Sequence, residues 1–144
     1  KYNKSISDAL NKRFPDSFIS VYPPFVSEAV RVKSLENSII SLGFFSSTHI
    51  KFASFTERLS EALACGCIIL HNHYNLPKDI SNLESVIYVE GDITNYIKKI
   101  ENLFFSGGEY LQKLSNISYD YYCSSNLSYK DFAFDLLDHI NKNS

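Results

Sequence analysis

Apolar residues along this 144-residue chain alternate between helical spacing and short continuous runs of strand length. Ser5 to Arg13 reads as a helix that stops near Pro15. Phe18-Ile-Ser-Val-Tyr22 is a β-rich run halted by Pro23-Pro24, which predicts a strand with a fixed end. Val26, Val30 and Leu35 carry a weak helical spacing. Ser38 to Phe45 is a second apolar run of strand length, and a polar stretch leads from it to a helix over Thr56 to Ala64. Gly66 stands where glycine commonly follows a helix C-cap. Cys67-Ile-Ile-Leu70 comes at once, apolar throughout, as does Val86-Ile-Tyr-Val89; both patterns suit parallel strands covered on two faces.

The second half reads as helices. Asp92 suits an N-cap, with Thr94 beside it in a capping role. Ile93, Tyr96, Ile97, Ile100, Leu103 and Phe104 keep a sustained amphipathic spacing. Gly107-Gly108 break it. Glu109 to about Tyr122 and Tyr129 to Asn141 complete the pattern. The whole predicts one α/β domain over residues 1–144, with a parallel sheet flanked by helices. In such sheets ligands bind outside the carboxyl ends of the strands, which directs attention to Tyr22-Pro23, Phe45 to Thr56, His71 to Pro77 and Glu90 to Asp92.

Composition adds limits rather than an assignment. With 44% hydrophobic and 21% charged residues and a net charge of -2, the chain has an ordinary globular make-up without a basic stripe. Nucleic acid is therefore not an expected partner. No apolar run approaches the ~20 residues that span a bilayer. Lys1 opens the sequence without a Met, so a piece of a longer protein is expected. Cys65, Cys67 and Cys123 are odd in number and lack zinc or redox spacing, which suggests buried, reduced thiols in a cytoplasmic setting.

The helix before Gly66 carries the candidate chemistry. Phe55, Leu59, Ala62 and Leu63 share a core-facing stripe. Glu57 and Glu61 lie on the other face, with Arg58 three residues before Glu61 and able to pair with it. The first turn, from Ser54 through Phe55 and Thr56 to Glu57, offers backbone N–H groups at the positive end of the helix dipole, where a phosphate would be well held. Glu61, further along, could accept hydrogen bonds from ribose hydroxyls. A solvated acidic face with no ligand is the competing reading of the same residues.

Arg58-Leu-Ser-Glu-Ala-Leu-Ala-Cys-Gly-Cys-Ile-Ile-Leu70 resembles the Arg-x-x-Glu-Ala-Leu-Ala-x-Gly-x-apolar stretch in the C-terminal domain of many GT-B glycosyltransferases, group 1 and exostosin-like enzymes among them. Downstream, Lys78 to Leu83 and Val86 to Glu90 are similar to bacterial enzymes that build rhamnan-type surface polysaccharides. The resemblance covers about Ser38 to Leu103. It implies a Rossmann-like domain forming the C-terminal half of a GT-B architecture, which binds a nucleotide-diphosphate sugar for transfer to a bacterial surface glycan. It also implies that Glu61 contacts the ribose, that the helix start holds the diphosphate, and that no cofactor or metal is needed. Arg58 would stabilise the leaving diphosphate. A missing N-terminal domain would bring the glycan acceptor and the catalytic base, and the full enzyme would work in the cytoplasm, with peripheral membrane association open to it. An earlier Glu that many of these enzymes carry corresponds here to Ala53.

Other residues divide between roles. His71 and His73 follow a strand and suit a donor-site loop, a surface loop or, less fittingly, a metal pair that lacks a third ligand. His49 could reach a phosphate or stand in an exposed loop. Tyr22 suits stacking on a base or a bare rim. The Tyr119–Tyr122 cluster, with Phe132 and Phe134, suits helix packing or a docking surface. A non-catalytic Rossmann-like interaction or regulatory domain, or another phospholigand-binding α/β enzyme, would share the same pattern.

Overall fold

The computed structural model describes residues 2–16, 27–45, 50–51 and 57–125. In chain order the elements are α1 (Tyr2–Arg13), α2 (Glu28–Leu35), β1 (Ile40–Gly43), α3 (Glu57–Ala64), β2 (Ile68–His71), α4 (Lys78–Ser81), β3 (Val86–Tyr88), α5 (Ile93–Phe105) and α6 (Gly108–Ser124). The expected strand at Phe18–Tyr22 and helix at Tyr129–Asn141 lie outside the described residues. The short helix α4 is an element the apolar spacing does not reveal, since Ile80 is its one buried residue.

The three strands among the described residues form a parallel sheet in the order β1-β2-β3. The architecture is α/β, a Rossmann-like parallel sheet flanked by helices. Strand pleating sends alternate residues to opposite faces, and both faces are covered. Ile68 and Leu70 meet Leu10 of α1, Tyr96, Ile100 and Leu103 of α5, and Leu114 of α6, with Ile40, Leu42 and Ile87 packed against the same cluster. Ile69 and Val86 turn the other way, into a second core with Leu59, Ala62 and Leu63 of α3 and Ile80 of α4; Leu35 of α2 packs there too. Double coverage is why β2 is apolar without alternation.

Local chemistry sets the ends of α3. Gly66 takes φ +68°, a left-handed conformation that costs an L-residue with a Cβ roughly 1–2 kcal/mol. Its N–H donates to Leu63 O at 2.9 Å, and the Cys67 N–H donates to Ala62 O at 2.9 Å. This is a Schellman closure of the helix, and it delivers the chain directly into β2. Helix α6 crosses the amino edge of the sheet there, where the buried Ser118 hydroxyl donates to Cys67 O at 2.8 Å. At α5 the expected cap is present: Thr94 N–H donates to the Asp92 carboxylate at 2.9 Å.

Some sequence expectations are corrected. Val30, one of the three residues of the weak helical spacing, is exposed, and α2 meets the core through Leu35. Of the thiols, Cys67 is buried, Cys65 half-buried and Cys123 exposed, as Cys123 sits on the outer side of α6. Tyr121 and Tyr122 pack against the second core, whereas Tyr119 is exposed. No described helix is long and apolar enough to cross a membrane.

Candidate functional site

Helix α3 runs back from the carboxyl edge of the sheet, since the chain leaves β1 at that edge and re-enters β2 at the opposite one. Its first turn therefore lies on the edge where parallel sheets bind ligands. Ser54, Phe55 and Thr56 lie outside the described residues, as do Tyr22 and His49; Glu57 opens the helix. Arg58 is exposed.

Glu61 is the residue whose surroundings differ most from expectation. Its carboxylate is gripped by the guanidinium of Arg31, thirty residues earlier on α2. Arg31 Nε donates to Glu61 Oε2 at 2.6 Å, and Arg31 Nη2 donates to Glu61 Oε1. The two side chains retain 21% and 13% of their surface, so water screens the pair only partly. The local partner, Arg58, is not the one that engages Glu61. A carboxylate offers about four lone-pair positions, and the fork uses two.

At the carboxyl edge, Gly43, His71 and Tyr88 lie in one row across the three strands. His71 shares its face with Ile69, the face that α3 covers. Although the loop reaches the surface at the exposed Tyr74, the two histidines themselves are buried: His71 and His73 are 2% and 1% exposed. Phe45 folds back against this row and meets the His73 ring edge-on at 4.9 Å between centroids. Glycine at 43 permits that, because a Cβ there would stand 2.9 Å from the Phe45 ring and 3.5 Å from His71 Cβ. Asn72 clamps the turn: its side chain accepts from Phe45 N–H at 2.8 Å and donates to Phe45 O at 3.2 Å.

Backbone amides fix both imidazole tautomers. His73 N–H donates to His71 Nδ1 at 3.1 Å, and Asn75 N–H donates to His73 Nδ1 at 3.2 Å. A neutral ring that accepts at Nδ1 carries its proton on Nε2. Burial first, and the neighbouring His73 second, lower the His71 pKa to about 4, so His71 is neutral near pH 7. His73 Nε2 is buried with no hydrogen-bond partner among the described residues.

No family model matches the chain, and no curated protein or solved structure matches it. The site therefore stands on its own geometry. Two buried imidazoles, an aromatic rim (Phe45 and the exposed Tyr88) and the start of α3 share one edge of the sheet. Glu61 stands along α3, tied to α2. Among the described residues no three His, Cys, Asp or Glu side chains gather to hold a metal ion.

Arg31, Gly43 and Tyr88 belong to this region without having stood out in the sequence, whereas Phe45 and Asn72 fall within the loops at the carboxyl edge that it singles out. Arg31 had one signal: it precedes Leu35 by four residues, which places it on the same side of α2 as that core contact.

Proposed function

We propose that this chain is the donor-binding domain of a GT-B-type glycosyltransferase, taking a nucleotide-diphosphate sugar at the carboxyl edge of its sheet for transfer to a bacterial surface glycan. One observation carries the reading: residues 57–71 fold as helix, left-handed glycine turn and buried parallel strand, with the Glu61 carboxylate held in a single orientation on that helix. This is the local structure that the resemblance of Arg58–Leu70 calls for. The diphosphate would meet the first turn of α3, with Arg58 as its nearby cation. Ribose hydroxyls would donate to Glu61, and the sugar would lie towards His71, His73 and Tyr88. The acceptor and its base would come from a further domain.

Titration calorimetry with UDP, GDP and TDP tests the reading. At least one should bind the folded protein at millimolar concentration or below, and Glu61→Ala should weaken it about tenfold, the range of a hydrogen bond to a charged group. A folded sample that binds none of the three removes the donor site.

The Arg31–Glu61 fork also favours a second reading, in which Glu61 is a fastener between α2 and α3 within a non-catalytic interaction domain. Glu61→Ala would then lower thermal stability while nucleotide binding stayed absent.

A further inference from the structure

The guanidinium fork on Glu61 does more than neutralise a charge. A glutamate on a helix surface has three side-chain torsions and samples several rotamers. Two parallel N–H donors from one planar group fix both the place and the plane of its carboxylate. Each oxygen of Glu61 then has one position occupied by Arg31 and one remaining acceptor position. The fork faces the opening between the two oxygens and fills their inner positions, so the remaining acceptor positions point outward on opposite sides, each able to accept from one ribose hydroxyl in a fixed direction. The charge balance points the same way. A bare carboxylate beside a diphosphate would repel it, whereas an Arg-compensated carboxylate remains a hydrogen-bond acceptor with little net charge to oppose an anion.

We propose that Arg31 is a positioning residue that presents Glu61 to a ribose hydroxyl of a nucleoside diphosphate, so that ribose selectivity depends on an α2 residue outside the resembling stretch. This inference rests on the donor-binding reading, and the experiment separates their failures. Affinities of UDP and GDP, each with its 2′,3′-dideoxy counterpart, are measured calorimetrically for the wild type and for Arg31→Met, Arg31→Lys and Glu61→Ala. Thermal melts check that each variant folds.

The ratio of ribose to dideoxy affinity is the readout, because anything Arg31 contributes to both ligands cancels in it. The wild type should prefer the ribonucleotide by about tenfold or more. That preference should fall towards one in Glu61→Ala and in Arg31→Met. Arg31→Lys should lose most of it too, since an ammonium keeps the charge but not the fork. Should Arg31→Met fail to fold, Arg31→Lys decides. A wild-type preference that persists undiminished in the folded Arg31 variants overturns the positioning role and leaves the donor site standing. A wild-type ratio near one, or binding of neither UDP nor GDP, overturns the assignment of Glu61 itself and this inference with it.

Discussion

Lowering the pH from 7 to 5 should cost the folded protein roughly 2 kcal/mol through His71 alone. The unfolded chain protonates this residue near 6.5, whereas burial and the neighbouring His73 hold the folded value down to about 4. As pH falls below 6.5 the unfolded state takes up the proton first, so stability declines. The decline continues until the pH passes the folded value, below which both states are charged. Linkage over that window gives about 0.2 kcal/mol already lost at pH 7 and about 2 kcal/mol at pH 5. Because the ring is 2% exposed, solvent screening discounts this little. Urea unfolding at pH 7, 6 and 5 would measure it against His71→Asn, whose side-chain oxygen can still accept from His73 N–H but does not titrate. Carboxylates common to both proteins cancel in the comparison. The wild type should lose roughly 2 kcal/mol more than the variant between pH 7 and 5. Parallel pH dependence in the two proteins would refute the reasoning.

Gly66→Ala should destabilise by about 1–2 kcal/mol from its left-handed backbone, and by somewhat more because the new Cβ would stand 2.9 Å from Ser115 Oγ. Thermal melts of the single variants and of the Gly66→Ala/Ser115→Ala pair check this, the pair being less damaged than the sum of its parts; strict additivity would contradict the steric argument. For the thiols, burial pushes Cys67 up to about 12, while Cys123 is exposed. Iodoacetamide at pH 8 should therefore label Cys123 in the native protein and reach Cys67 only on unfolding, as followed by peptide mass spectrometry. Native labelling of both at one rate would count against the packing around Cys67.

Much of the fold was legible because its determinants are local. Gly66 needs only its own backbone conformation to close α3, and Asp92 needs only the N–H of Thr94 to open α5. The continuous apolar run at Cys67 to Leu70 announces a strand covered on both faces, and Ile68, Leu70 and Ile69 do divide between two cores. The burial of His71 and His73 was not legible. It depends on Phe45 turning back beside a glycine in the adjacent strand, and on Asn72 bonding to Phe45 from a position 27 residues away. A period-2 pattern at His71-Asn-His73 cannot tell a solvent loop from a lid held shut by another strand.

The partner of Glu61 shows how a nearby candidate in sequence loses to a distant one in space. Arg58 lies three residues away on the same helix, and an exposed pair at that spacing contributes about 0.3–0.5 kcal/mol. Arg31 instead approaches from α2, which Leu35 anchors beside α3 in the second core. It meets Glu61 through two donors at a largely sheltered position, where hydrogen bonds between charged groups contribute about 1.5–3 kcal/mol. The forked, sheltered pair prevails once packing has brought the helices together. It leaves Arg58 exposed at the start of α3, clear of the carboxylate that would otherwise have neutralised it. The packing that makes Glu61 rigid is thus also what leaves a cation near the helix start, where a diphosphate would need one.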